Sequence, residues 1–168
     1  HKQYTMEKFK EGYTGKNFVV EEPKLEFKKP VFKKELDLPR ASEVPIAKEY
    51  LEKRMLDPTK FYFAKKFRTW VNSKKRTFDS VQKDESRIII PMYDTERNLI
   101  GFQGRALGPN FVKYITVMLK DDAPKVFGLE QIDKTKTVYV TEGPFDSTFI
   151  RNSIATVSYT HLRAHETH

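Results

Sequence analysis

Between residues 41 and 56 the apolar positions follow a helical period. In "ASEVPIAKEYLEKRML" Ile46, Tyr50, Leu51 and Met55 fall on one face. Ser42 is a candidate cap and Pro45 suits the first turn. "DPTKFYFAKKF" then restarts a second short helix, with Asp57 as its cap and Pro58 in first position. Together the two segments predict a helical hairpin. From Ser86 the period shortens to two. "RIIIPMYD" reads as a buried strand, "DTERN" as a tight turn and "LIGFQGRAL" as the return strand of a hairpin. "FVKYITVM" alternates as a third strand, and "DDAPKVFGLEQI" as a loop entering a short helix. "TVYVTE" predicts a strand with Val138 and Val140 buried, and "GPFDSTFIRN" a helix opened by Pro144. The class is therefore α+β: helical hairpin, antiparallel sheet, then the first strand and helix of an α/β unit.

The amino-terminal forty residues break this order. "PKLEFKKPVFKKELDLPR" carries Pro23, Pro30 and Pro39, which exclude a long helix or a central strand. The segment reads as an extended basic linker. Lys28, Lys29, Lys33 and Lys34 suit a phosphate backbone, and equally a solvated tether.

Charge narrows the partners. The chain has 168 residues and a net charge of +8, which favours polyanions such as nucleic acid or nucleotides. It has no cysteine, so a thiolate metal site is excluded. No apolar run approaches the roughly 20 residues of a membrane span, and no secretory signal is present, which predicts a cytoplasmic protein without membrane partners. Phe61, Phe63, Phe67 and Trp70 suit either base stacking or, at these spacings more often, a core.

The chemistry concentrates in "VYVTEGPFDS". Glu142 stands at the carboxyl end of a strand, where ligands bind open α/β sheets. Gly143 permits the turn, and Asp146 follows four residues later, so both carboxylates should face one crevice. Two carboxylates beside a helix start can hold Mg²⁺ together with a phosphate. Alone, the pattern fits equally a solvated glutamate and an aspartate favoured by the helix dipole.

The preceding run resolves this choice. Arg87–Pro91, "IGFQGRALG" (100–108), Lys113–Tyr114, "FGL" (127–129) and "TEGPFD" (141–146) occur in the order found in the catalytic core of Toprim DNA primases. The wording "GRALGP" and "TEGPFDS" resembles the branch found in T4-like bacteriophages. The resemblance implies a primase core leading into a Toprim domain that is cut short. It implies that Glu142 is the Toprim glutamate, a general base or metal aid, and that Asp146 belongs to the metal site, taking Mg²⁺ or Mn²⁺. Arg105 and Lys113 match basic residues of the template and nucleotide cleft, as do Lys125, in uncertain register, and Arg87. Glycine neighbours should let Arg105 approach a phosphate closely. Implied partners are single-stranded DNA, nucleoside triphosphates and a replicative helicase. Zinc is expected only in an amino-terminal module outside this cysteine-free chain.

Other Toprim enzymes, topoisomerases or nucleases, share the E-G-x-x-D pattern but not the preceding series. A non-catalytic nucleic-acid-binding module is the alternative of a different class. The family's further metal-binding aspartates are not found, and Asp121 and Asp122 lie upstream in a loop and do not replace them. The closing "VSYTHLRAHETH" has no apolar period and holds three of the four histidines. Val157–Thr167 resembles the in-frame translation of a sequencing adapter; the rival reading is a histidine-rich metal tail with His161 and His165 spaced i, i+4. The expected organisation is a linker over 1–40, the amino-terminal part of the core over 41–136, a truncated Toprim start over 137–155, and a non-native tail over 156–168. Such a chain is expected to be inactive by itself, with apolar surface exposed where the last strand and helix lack neighbours.

Overall fold

The computed structural model describes residues 36–109 and 112–157. The linker lysines at 28, 29, 33 and 34 and residues 158–168 of the tail lie outside them. Two sheets and three helices make up the described fold. Helix α1 (Pro45–Glu52) is followed by strand β1 (Tyr62–Ala64) and helix α2 (Phe67–Lys74). Strands β2 (Arg87–Tyr93), β3 (Leu99–Ala106) and β4 (Tyr114–Met118) come next. A smaller sheet contains β5 (Val126–Phe127), β6 (Tyr139–Thr141) and β7 (Ser153–Thr156), with the short helix α3 (Pro144–Ser147) between the last two.

The large sheet is antiparallel in the order β1-β2-β3-β4. It carries apolar side chains on both faces, because each face has its own cover. On one side Ile88, Ile90 and Met92 meet Ala47 and Leu51 of α1, Phe61 and Phe63, and also Phe127, Ala155 and Val157 beside the small sheet. On the other, Ile89, Phe102, Ile115 and Val117 meet Phe67 and Val71 of α2 and Phe78. A strand buried on both faces reads as a continuous apolar run, as "RIIIPM" does.

The α+β class holds, but the hairpin's second helix does not form. Asp57 caps as expected, accepting from the Thr59 N–H at 3.0 Å, with Pro58 first. The helix is a single 3-10 turn, Pro58–Lys60, and the chain then extends into β1. Phe61 and Phe63 go to one core while Tyr62 and Ala64 go to the other, and only a period of two delivers consecutive residues to opposite faces. The aromatic run is core: Phe61, Phe63 and Phe67 are buried, and Trp70 packs on Phe102 at 4.6 Å between ring centroids. In α1 the cap is Val44, not Ser42, because a 3-10 turn, Ala41–Glu43, precedes it. Ile46 and Met55 are exposed, and Ala47 takes the buried position beside Leu51.

The small sheet has the order β5-β7-β6, with β6 parallel to β7 and β5 antiparallel. Strand β7 went unread in the sequence. It is the central strand, and it includes Thr156 in register with Val126. Val157 is buried at 4%, and its N–H donates to the Lys125 carbonyl at 2.9 Å. The expectation that Val138 and Val140 are buried is corrected: Val140 is 64% exposed and Val138 half-buried. The reason is that β6 is an edge strand, paired on one side only. Tyr139, Phe149 and Ile150 are exposed with it, so the expected apolar surface is present. Both sheets lie in one unit, Val31–His168.

Two glycines of "GFQGRALG", Gly101 and Gly104, serve packing, while Gly108 stands in open space. A Cβ on Gly104 would lie 2.5 and 2.7 Å from the Phe67 ring and 3.1 Å from Cδ of Arg87. For Gly104 this replaces the reading of a cleared path for phosphate with a packing role. Substituting Gly104→Ala is expected to destabilise the fold by about 1–3 kcal/mol, since an aromatic ring in a filled core must move. Urea unfolding monitored by circular dichroism measures it, and an unchanged midpoint would contradict this packing.

Candidate functional site

The rim of the small sheet is built by strand register. β6 and β7 run parallel, with Thr141 opposite Ala155, and Ala155 opposite Phe127 of β5. Glu142 continues from β6 just beyond that row, and Lys125 precedes β5 at the same end. With β7 between them, the two backbones stand about 10 Å apart, two strand spacings. Glu142 and Lys125 are both exposed.

Asp146 reaches the same rim from α3. Its Oδ2 lies 2.9 Å from where a Gly143 Cβ would stand, so the carboxylate folds back over the residue next to Glu142. The turn is fixed locally: the Thr141 hydroxyl bonds the Gly143 and Ile154 carbonyls, and buried Ser147 and Ser153 share a hydrogen bond of 2.8 Å. Phe145 packs edge-on against Phe61 at 5.3 Å, which seats α3 against the large sheet. The expected longer helix is one turn, because the chain reverses at Asn152, whose φ is 53°. Its amide donates to the Asp133 and Thr137 carbonyls. A helix this short gives no useful macrodipole, so the carboxylates carry the site.

Arg105 joins from the end of β3. It is 8% exposed, and its Nε donates to the Tyr50 hydroxyl of α1 at 2.8 Å. Its guanidinium stands 4.5 Å from the ring centre of Tyr114, the residue paired with it on β4. Burial pushes the Tyr114 hydroxyl above its usual acidity range, Arg105 opposes this, and the negative charge of Asp146 adds to it. Arg105, Tyr114, Tyr50 and Asp146 therefore form one electrostatic cluster. The sequence reading missed both tyrosines. Tyr114 stood in the "KY" pair, but only the β3–β4 register identifies it as the partner of Arg105.

Lys113 is exposed, one residue before Tyr114 and at the same end of the sheet. Arg87 is not part of the cluster, and its assignment to the nucleotide cleft is corrected. It is fully buried. Its guanidinium donates to the carbonyls of Gly104 at 3.0 Å and Val112 at 2.8 Å, and pairs with Glu85. A guanidinium spent on carbonyls inside the fold cannot receive a phosphate.

Two exposed carboxylates fit Mg²⁺, which is commonly held by one or two protein carboxylates plus waters and phosphate oxygens. Among the described residues, no group of three or more His, Asp or Glu side chains is placed to hold a metal. No described helix is long and apolar enough to cross a membrane.

No family model matches the sequence. The fold is that of the primase catalytic core. The Escherichia coli primase catalytic core aligns with a TM-score of 0.52 and 25% identity, over 71% of this chain and 51% of that one. A DnaG primase catalytic domain bound to single-stranded DNA aligns with a TM-score of 0.53 and 23% identity, over 72% and 50%. An Aquifex aeolicus structure of primase zinc-binding and RNA polymerase domains gives 0.52 and 23%, over 68% and 37%. Fold and sequence are both similar to one class, the DNA primases, in keeping with the Toprim-type motif order that the sequence resembles. Within it the chain is similar to the DNA primase of Enterobacteria phage T4, 35% identical over 166 residues and 92% of this chain. The chain spans about half, 47%, of the length of that relative.

Proposed function

We infer that this chain is a segment of a DNA primase that makes short RNA primers on single-stranded DNA by divalent-metal-dependent nucleotidyl transfer. The observation that supports the reading is that Asp146 folds back over Gly143, next to Glu142 at the sheet rim, and acts electrostatically on Tyr114, the ring that Arg105 stacks on. Glu142 and Asp146 are the residues to hold Mg²⁺ or Mn²⁺, which when bound neutralises triphosphate charge and lowers the pKa of an oxygen ligand. Arg105 is held by Tyr50 and Tyr114 in a fixed position, so little order is lost when it meets a phosphate. Lys113 and Lys125 are exposed cations at the two flanks, suited to template phosphates and incoming triphosphate. Glu142 is also suited to accept the proton of an attacking 3′-hydroxyl, given its exposed position at the rim. A replicative helicase is a further partner of the whole enzyme, and the host cytoplasm its place of action.

Two carboxylates alone do not make a complete polymerising metal site, so we expect this chain by itself to be inactive. Incubated with labelled nucleoside triphosphates, Mg²⁺ and single-stranded DNA, it should yield no oligoribonucleotide. Robust primer synthesis would overturn the inactivity and leave the primase reading standing.

A further inference from the structure

The far end of the large sheet holds a second concave site that the primase reading does not use. Its volume is about 380 Å³, within the range of small-ligand pockets. Arg40, Lys60 and Arg97 line it together with Tyr62, Tyr93 and Glu130. Leu99 and Arg105 lie six residues apart along β3, about 20 Å. Arg97, two residues before Leu99, is therefore remote from Arg105, and neither carboxylate of the rim lines the cavity.

Three separate elements bring the cations together. Arg40 lies over the Tyr62 ring at 4.2 Å, and its Nη1 donates to the Thr59 carbonyl at 3.1 Å. Lys60 ends the 3-10 turn that Asp57 caps. Arg97 occupies the β2–β3 turn with φ at 64°, a left-handed conformation unfavourable for a residue with a Cβ. The Asp94 side chain holds that turn, accepting from the Glu96 and Asn98 N–H groups at 3.0 and 2.8 Å. Glu130 enters behind Gly128, whose φ is 88°. One carboxylate oxygen of Glu130 is buried without a hydrogen-bond partner, and burial raises its pKa.

Three cations against one carboxylate call for a ligand with more than one negative charge. The orphaned oxygen calls for a ligand that also donates hydrogen bonds, and the phenols and Pro91 offer flat or apolar wall. A nucleotide has all three parts: phosphates, ribose hydroxyls or amino groups, and a base. We propose that this cavity binds a free nucleoside polyphosphate, phosphates toward Lys60 and Arg97 and nucleoside toward Glu130, at a site separate from the polymerising rim. A free nucleotide suits it better than a strand, because the cations line one open cavity of small-ligand size, and a terminal phosphate carries more charge than a diester.

The test does not depend on the primase reading. ATP is titrated into the chain by calorimetry in EDTA, where the carboxylate rim has no metal. Lys60→Ala and Arg97→Gly are compared with Glu142→Gln/Asp146→Asn. Lys60 and Arg97 are exposed, and glycine adopts the left-handed turn freely, so folding should survive, as melting curves will check. The expected result is a loss of about ten-fold or more in ATP affinity for the Lys60 and Arg97 variants, the scale of one charge-assisted hydrogen bond. The rim variant should bind as the parent does. Absence of ATP binding, or equal binding by the Lys60 and Arg97 variants, overturns the proposal. Inorganic triphosphate binding as tightly as ATP overturns the nucleoside part. A short oligodeoxythymidine binding more tightly, and failing in the same variants, transfers the site to a nucleic-acid strand and overturns the free-nucleotide assignment.

Discussion

Replacing Glu142 by glutamine and Asp146 by asparagine, in an active primase that contains this segment, is expected to abolish primer synthesis while single-stranded DNA binding persists. Both substitutions preserve shape and remove charge. Both side chains are exposed, so neither change disturbs a core. The Gly143–Asp146 turn is held by Thr141, Ser147 and Ser153, none of which is altered. What disappears is the pair of anionic oxygens suited to Mg²⁺. Changes one shell beyond a metal already cost 10–100-fold, so loss of two ligands should cost at least about 100-fold. Primer yield and DNA affinity are measured side by side. If priming persists and binding falls, the carboxylates serve recognition and the catalytic assignment fails.

The second large effect is on stability. Arg87→Met should destabilise the fold by about 2–4 kcal/mol, the scale for leaving buried carbonyls without a donor, since the Glu85 partner is partly exposed and can rehydrate. The guanidinium ties three pieces of chain together: the Gly104 carbonyl in β3, the Val112 carbonyl ahead of β4, and Glu85 ahead of β2. Methionine fills much of the volume and the contact with Phe67, whose ring lies 5.5 Å from the guanidinium carbon. It cannot donate a hydrogen bond, so the Gly104 and Val112 carbonyls lose this donor within the fold. Chemical denaturation measures the loss. A variant of unchanged stability that had lost nucleotide binding would restore Arg87 to the cleft. Arg105 provides the contrast, since it sits among Tyr50 and Tyr114 at the rim and its loss should register in substrate affinity before it registers in melting temperature.

Patterning alone gave the hairpin of β2 and β3, the β4 strand, the Asp57 cap and the short turn from Glu142 to Asp146. These are local properties: alternation, proline positions and turn residues act over a few neighbours. The order of motifs carried the family assignment, and with it the carboxylate pair. The strand Tyr62–Ala64 was misread because four consecutive apolar residues fit either period. Only the presence of a core on each side of the sheet selects the extended form. The same two-sided burial turned Gly104 from a phosphate-clearing residue into a seat for Phe67, and Arg87 from a ligand into an internal tie.

The sequence by itself determined where carboxylates, cations and glycines stand along the chain, and which class of protein carries that order. Tertiary structure alone decided which arginine is spent inside the fold, that two tyrosines flank the other, and that Arg40, Lys60 and Arg97 share a cavity at the opposite end. The reason is geometric. A cation's role depends on whether its donors are spent on carbonyls within the fold or left for a ligand, and that is set by residues tens of positions away. Arg87 and Arg105 carry the same guanidinium on neighbouring strands, and pairing across the sheet gave them opposite work.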